Sequence, residues 1–324
     1  MRAVIAREAG DASVLAIGSA PDPHPGPGEA LIRVRGTSVN RADILQRRGR
    51  YPAPPGASDI LGLEAVGEVI TSPAGAAIAP GDRVMCLVPG GAYAELVAAP
   101  ASNCIPIPEG MSFEEAAAVP EVFITAFHGL MHLGALQQGD TALIHSVASG
   151  VGTAAAQICA AAGAWCIGTS RSPERAAAAA RWGAEPLPVT AGSFAPSVMS
   201  MTDGHGADVI LDLVGARYLQ DNIACLARHG RIVLTGLVGG RRGEADLGTL
   251  LAHQGTIAGS TLRGSTVGEK AEIMRAFADW ALPLFNTGVL RPVVHGVLPM
   301  SEVARAHQIV ERDEAVGCVV LVVP

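Results

Sequence analysis

The segment Thr141-Ala-Leu-Ile-His-Ser-Val-Ala-Ser-Gly-Val-Gly-Thr-Ala-Ala-Ala156 constrains the fold more than any other part of the chain. A short apolar run, Ala142 to Ile144, passes through small residues into an alanine-rich stretch. That order predicts a strand, a tight turn and a helix. Gly150, Gly152 and Ala155 stand at the G-x-G-x-x-G/A spacing of dinucleotide-binding turns. On this reading Gly150 permits the tight turn and Gly152 lets backbone approach a pyrophosphate. Ala155 lets the helix lie close to the sheet. The helix start then offers unpaired N–H groups and a positive dipole end to phosphates.

The next strand bears on which dinucleotide fits. Trp165-Cys-Ile-Gly-Thr-Ser-Arg-Ser-Pro-Glu-Arg175 reads as a short strand, a turn, and a helix with Ser172 as N-cap and Pro173 at N1. A site for NAD usually ends this strand with Asp or Glu, which binds the ribose 2′-hydroxyl. Here Thr169, Ser170 and Arg171 occupy that place, with Arg175 one turn further on. Hydroxyls and guanidinium groups suit a 2′-phosphate, so NADPH is the expected cofactor. The plainer alternative is that both arginines coat a solvated helix start.

Bulk properties narrow the classes. At 324 residues the chain has room for two domains and a large core. No uninterrupted apolar run is long enough to span a bilayer, so no membrane partner is expected. A net charge of −7 without a basic cluster argues against nucleic acid. Met1 to Ile5 reads as a first strand rather than a charged-then-apolar leader. Cys86, Cys104, Cys159, Cys166, Cys225 and Cys318 are scattered, with none at metal-ligand spacing. A reduced, cytoplasmic protein is the expectation.

Up to about residue 120, short β-rich segments such as Ala30 to Val34, Ala65 to Ile70 and Arg83 to Leu87 alternate with Pro and Gly turns. Ser112 to Leu133 reads as helical. Strand–helix alternation follows, with parallel strands expected at Thr141 to Ser146, Trp165 to Thr169, Asp208 to Asp212, Arg231 to Leu237 and Thr256 to Gly259. Helix at Glu269 to Leu282, strand at Val293 to Val297, helix at Ser301 to Glu311 and strand at Gly317 to Val323 would then return to the first domain. The predicted class is α/β, a Rossmann doubly wound parallel sheet plus a β-rich domain.

Several separate blocks carry a family likeness. They are Asn40-Arg-Ala-Asp-Ile-Leu-Gln-Arg-Arg-Gly-Arg-Tyr51, Pro54-Pro-Gly-Ala-Ser-Asp-Ile-Leu-Gly-Leu-Glu64, and Pro120-Glu121 with Thr125-Ala126-Phe127. Ser149 to Thr153, Gly236-Leu237 and Thr261-Leu262-Arg263 complete them. In this order they resemble the medium-chain dehydrogenase/reductase superfamily, and within it the zinc-free, zeta-crystallin-like NADPH:quinone oxidoreductases, over essentially the full length. The resemblance implies a GroES-like β-rich catalytic domain over residues 1–122, a Rossmann domain over 123–264 and a C-terminal return over 265–324. It also implies a homodimer, for which Thr256 to Gly259 at the sheet edge would be the pairing strand.

Metal-dependent members of the superfamily hold a catalytic zinc with Cys and His. The matching positions here are Asn40-Arg41-Ala42-Asp43, Gly62-Leu63-Glu64 and the neighbourhood of Glu121. Asn, Arg and Leu cannot assemble a tetrahedral zinc site, so no metal is expected. His128 and His132 stand four apart but lack the Glu of a metalloprotease helix.

The resemblance further implies that Asn40 and Thr125 face the nicotinamide, and that Ser149, Gly150, Val151, Gly152 and Thr153 line the pyrophosphate. Leu237, Val238, Gly239, Leu262 and Arg263 would approach the nicotinamide half. Tyr51 would reach the substrate and donate a hydrogen bond or proton. It reads equally as a packing aromatic beneath a turn, Asn40 as a turn residue and Ser149 as a helix cap. Departures from the family pattern are the absence of tyrosine in Glu185 to Thr190, Gly264-Ser265 after the Thr-Leu-Arg motif, and Gly317-Cys318 in place of Gly-Lys. The activity implied is hydride transfer from NADPH to a quinone held in the cleft between the domains. The rival is reduction of an activated C=C bond in an enone or enoyl substrate.

Overall fold

In the computed structural model, which describes residues 1–190 and 192–323, the chain divides into two compact units. One comprises Met1–Ile124 and the segment from Leu262 onward; the other is Thr125–Thr261.

The first unit opens with an antiparallel pair, β1 (Arg2–Ala6) and β2 (Leu15–Ser19). β3 (Glu29–Ser38), β4 (Glu64–Thr71), β5 (Arg83–Leu87), β6 (Leu96–Pro100) and β7 (Cys104–Pro106) follow. Helix α1 (Arg41–Arg47) lies between β3 and β4. β3 pairs antiparallel with both β4 and β6, β4 with β5, and β5 with β7. Along β3, Ala30, Ile32 and Val34 are fully buried while Arg33 faces out, the alternation of a sheet with one covered face. The stretch Ser112 to Leu133, read as helical, forms separate helical pieces. α2 (Phe113–Ala116) stops before Pro120, which opens α3 (Pro120–Phe127). Proline has no N–H to continue a helix but suits a first turn.

In the second unit the end of α3 passes into a π-helical turn at His128–Leu133, where Gly134 N bonds Gly129 O at 2.8 Å across five residues. Its sheet contains β8 (Thr141–Ile144), β9 (Trp165–Ser170), β10 (Ala184–Pro188), β11 (Ala207–Asp212), β12 (Leu226–Leu234) and β13 (Thr256–Gly259). All pairings are parallel, in the order β10-β9-β8-β11-β12-β13. The chain therefore winds one way through β8, β9 and β10 and the other way through β11, β12 and β13. That is the doubly wound arrangement predicted. Helices α4 (Gly150–Ala162), α5 (Pro173–Ala179), α6 (Ala195–Met201), α7 (Leu219–Ala224) and α8 (Leu247–His253) connect the strands. Leu143, Ile167, Ile210 and Ile232 form the centre of its core.

In this sheet strand ends shift by a residue or two, and two strands differ from expectation by more. β12 starts five residues before the predicted Arg231 and ends at Leu234, because Thr235 and Gly236 turn back to donate to Asp212 O at 2.8 and 3.2 Å. β10 was not read from Glu185-Pro-Leu-Pro188 at all. Pro186 and Pro188 share one parity on an edge strand, so their missing N–H groups cost no ladder bond.

The closing segment contains α9 (Val267–Asn286), β14 (Val294–Pro299), α10 (Val303–Glu311) and β15 (Cys318–Val322). β15 pairs with β3, so the C-terminal strand completes the first unit's sheet. α9 starts with a reciprocal cap: Thr266 Oγ1 accepts from Glu269 N at 3.2 Å, and Glu269 Oε2 accepts from Thr266 N at 2.8 Å. It buries Lys270, Ile273, Met274, Phe277, Ala281 and Phe285 on one stripe. Burial of each phenylalanine contributes roughly 2–3 kcal/mol.

Candidate active site

In the second unit, β8 ends at Ile144 and the chain reaches α4 within five residues. Ser146 takes the left-handed conformation of this turn, with φ of 53°. Gly150, assigned that role from sequence, is instead the first residue of the helix. Gly152 is needed for a different close approach than expected. A Cβ there would lie 2.4 Å from Ser146 O and 2.5 Å from Val147 C, so the turn's own backbone fills the space. Ser149 caps the helix, its Oγ accepting from Gly152 N at 3.1 Å. Thr153 is buried and donates to Gly150 O at 3.0 Å, so its hydroxyl does not face outward as expected. Gly150 and Val151, partly exposed at the first turn, carry the N–H groups a helix leaves for an anion.

The end of β9 corrects the sequence reading further. Thr169 is 1% exposed and lies 2.8 Å from His145 Nδ1, inside the sheet. Ser170 is buried too, its Oγ accepting from Ser172 N at 3.3 Å. Neither hydroxyl is presented outward. Thr169 and Ser170 point to opposite faces of β9, but this strand lies inside a parallel sheet covered on both faces, so both hydroxyls are buried. Arg171 is exposed and Arg175 partly exposed on the turn and first helical residues beyond.

Thr169 belongs to a buried chain that sequence reasoning missed. Asn222 Nδ2 donates to Asp212 Oδ2 at 3.0 Å, so its Oδ1 must accept from His145 Nε2 at 2.7 Å. His145 therefore carries its proton on Nε2, and Nδ1 accepts from the Thr169 hydroxyl. Burial holds His145 below the ordinary imidazole range, in keeping with a neutral ring. Asp212 Oδ1 also accepts from Val214 N and Gly215 N at 2.7 and 2.9 Å. Tyr218 packs on His145 and Phe194 with centroids 4.8 and 4.9 Å apart. Arg171 lies close enough to Tyr218 to act on its phenol, so an aromatic does accompany this edge although Glu185 to Thr190 holds none. Leu237 and Val238 are exposed beyond β12, and Gly239 N donates to Val214 O at 2.7 Å.

In the first unit, Asn40 stands at the start of α1, its N–H donating to Asp43 Oδ2 at 2.8 Å. Its Nδ2 donates to Glu64 Oε1 at 2.7 Å, which fixes the side chain at the start of α1. Glu64 is fully buried: Oε1 also takes a short hydrogen bond from Ser38, and Oε2 accepts from Glu121 N at 2.8 Å. Asp43, equally buried, accepts from Gly62 N at 3.0 Å and Tyr93 OH at 3.3 Å. Gly62 is obligatory there, with φ of +101° and the Tyr93 ring 2.6 Å from any added Cβ. Burial pushes Asp43 up to about 6 and Glu64 to about 7, against the pull of their hydrogen bonds. Glu121 is pushed up to about 8 by burial and by the carboxylates Glu64 and Asp43, while Lys270 and Arg263 oppose the shift. Behind this group, Arg47 donates to His307 Nδ1 at 3.1 Å and pairs with Glu311.

Arg263 belongs to the first unit and makes its hydrogen bonds there. It donates to Pro89 O at 2.8 Å, Tyr51 O at 3.3 Å and Gln46 Oε1 at 2.6 Å, and lies 5.0 Å from the Tyr51 ring centroid. Leu262, Arg263, Glu121 and Lys270 line one small pocket with Leu63, Leu87 and Val88. Thr125, on α3, is partly exposed. His128 and His132 stack with centroids 5.2 Å apart. Among the described residues, no group of three or more His, Cys, Asp or Glu is arranged to hold a metal. Where zinc-dependent relatives need thiolates and imidazole, a donating carboxamide at Asn40 and an apolar Leu63 do not fit one.

Residues 26–109 match the alcohol dehydrogenase GroES-like domain family, and residues 150–280 the zinc-binding dehydrogenase family. The chain is 33% identical to the quinone oxidoreductase of Pseudomonas aeruginosa over 302 residues, covering 92% of each protein. It superposes on a mycobacterial protein solved with NADPH at a TM-score of 0.90 and 31% identity, over all of both chains. It superposes on the JamJ enoyl reductase at a TM-score of 0.88 and 25% identity, over 100% of this chain and 99% of that one. The chain belongs to the medium-chain dehydrogenase/reductase superfamily, with a GroES-like unit and a Rossmann unit.

Proposed function

We propose that this protein reduces quinones with NADPH by a hydride transfer that needs no metal. The observation that carries the reading is the 33% identity, over 92% of both chains, to a quinone oxidoreductase. Support for the cofactor comes from the N-terminus of α4 beyond β8, where the strand order reverses, and from Arg171 and Arg175 in place of an acidic residue. The similar mycobacterial protein was solved with NADPH. When bound, NADPH supplies the hydride.

The chain's own residues would do the rest. Gly150 and Val151 N–H groups hold the pyrophosphate, and Arg171 and Arg175 the 2′-phosphate. Leu237, Val238 and Gly239 offer an apolar edge beyond β12. Asn40, its side chain held by Glu64, faces the nicotinamide carboxamide; Thr125 is the second residue assigned there. Tyr51, its ring held against Arg263, donates a hydrogen bond to the acceptor oxygen.

The second reading is reduction of activated C=C bonds, supported by the likeness to an enoyl reductase. A panel of quinones and enones, each with NADPH and NADH and with a chelator, tests both. Rapid NADPH oxidation by quinones that chelator leaves unchanged supports the first reading. Turnover confined to enones replaces it with the second, and chelator-sensitive alcohol oxidation sinks both.

We also propose a two-fold dimer through β13. This strand is one of the two edges of its sheet; Ile257 on it and Leu247 and Leu251 on the preceding α8 are exposed. Sedimentation equilibrium at the mass of a single chain would refute this.

A further inference from the structure

Lys270 is the only lysine in the chain, every other basic side chain that is always charged being arginine. It is not on the surface. It sits on the buried stripe of α9 between the helix cap and Ile273, and is 5% exposed. A lysine is buried this deeply only when something compensates its charge. Its charged neighbours are Glu121 from α3 and Arg263 from the loop before α9, and among the described residues no hydrogen bond engages its ammonium. Leu63, Leu87, Val88 and Leu262 form the apolar walls of the pocket these groups share. The pocket has room for about one water or one substrate oxygen.

The polar groups around the pocket differ in what they have left to offer. Both oxygens of Glu64 and both of Asp43 already accept hydrogen bonds, and Arg263 commits three of its five N–H donors, one from each nitrogen, to Pro89, Tyr51 and Gln46. Glu121 uses its backbone N–H on Glu64, while no hydrogen bond engages its carboxyl among the described residues. Glu121 as a residue is partly exposed, whereas Glu64 and Asp43 are fully buried.

We propose that Glu121, backed by Lys270, is the proton donor of the site. This rests on the reductase reading above. As an acceptor takes up a hydride, negative charge gathers on its oxygen. The O–H bond of Glu121 breaks, a new O–H bond forms on the acceptor, and the carboxylate left behind is stabilised by the positive charge of Lys270, which acts on it through space. Both electrons arrive with the hydride, and a solvent proton later restores Glu121. The groups acting on Glu121 are Glu64 from β4, Asp43 from α1, Lys270 from α9 and Arg263. The first two favour its protonated form and the cations its ionised form. Their balance, with burial, puts its titration at about 8, so it carries its proton at neutral pH.

The test uses the full-length protein, E121Q and K270M. Wild-type acceptor reduction should fall as pH rises through about 8. E121Q should lose roughly 100-fold or more in kcat with an enone and lose that descending limb, with NADPH affinity retained. K270M should move the limb to higher pH, since removing a cation makes the carboxyl harder to ionise. A readout free of turnover comes from labelling the sole lysine with 15N. Its side-chain signal should inflect with Glu121 ionisation in the wild type and not in E121Q. An active wild type with E121Q matching its rate and limb overturns the proposal and leaves the reductase reading standing. No NADPH oxidation with any acceptor sinks the reductase reading. A lysine signal without an inflection that E121Q removes overturns the Glu121–Lys270 pair whatever the turnover.

Discussion

Gly152→Ala adds a single methyl group where the turn backbone leaves no space. The new Cβ would begin 2.4 Å from Ser146 O and 2.5 Å from both C and O of Val147, whereas ordinary contact starts near 3.4 Å. Something must move by about 1 Å. The turn resists, because His145 N bonds Leu211 O at 3.1 Å, Val147 N bonds Thr169 O at 3.0 Å and Ser149 N bonds Ser146 O at 2.8 Å. The helix resists through Ala154, Ala155 and Ala156, all fully buried. Overpacking of this kind costs about 1–3 kcal/mol. The N–H groups of Gly150 and Val151 would be displaced from the phosphates, which should weaken NADPH binding by roughly 10- to 100-fold, about 1.4–2.8 kcal/mol. Gly268→Ala is the control. It makes the same chemical change in the first turn of α9, where a Cβ meets nothing within 4 Å. Helix propensity predicts a gain of about 0.5–1 kcal/mol there. Urea unfolding and NADPH fluorescence titration measure both variants. A Gly152→Ala protein as stable as wild type, with unchanged affinity, would refute the packing argument.

Three further outcomes are expected. Glu64 is raised in the folded state to about 7 from 4.5, so its contribution is fully present below pH 4.5 and is lost as pH rises through about 7. Urea midpoints of Glu64→Gln should lack part of the wild-type decline between those pH values, and an unaltered slope would assign the decline elsewhere. Arg171→Ala with Arg175→Ala should raise the Kd for NADPH at least 10-fold while changing that for NADH little, an estimate from charge-assisted phosphate contacts. Equal losses for both cofactors would remove the arginines from 2′-phosphate recognition. Tyr51→Phe should slow enone reduction more than quinone reduction, since an enolate depends more on a hydrogen-bond donor. Matching small effects in steady-state assays would return Tyr51 to a packing role.

The order of elements was legible from the residues because helix and strand periodicities are local. β8, the small-residue turn and α4 follow from a run of about sixteen residues. β13 lies at its predicted Thr256 to Gly259. Where tertiary context overrides local preference, the reading failed. β10 was hidden by two prolines that only an edge position tolerates, and the helical stretch from Ser112 did not reveal where one helix ends and the next begins at Pro120.

The residues themselves dictated two units, a dinucleotide-type turn and the loss of zinc ligands at Asn40 and Leu63, because each depends on residue type at short range. Which hydroxyl, carboxyl or ammonium remains free was decided only when distant segments met. Thr169 is taken by His145, which is held by Asn222 from 77 positions away. Arg263 turns to Gln46, 217 positions distant, and Lys270 reaches the pocket of Glu121 through the burial of α9. A polar side chain is available to a ligand only if the folded chain has not already satisfied it, and that is a property of three-dimensional neighbours.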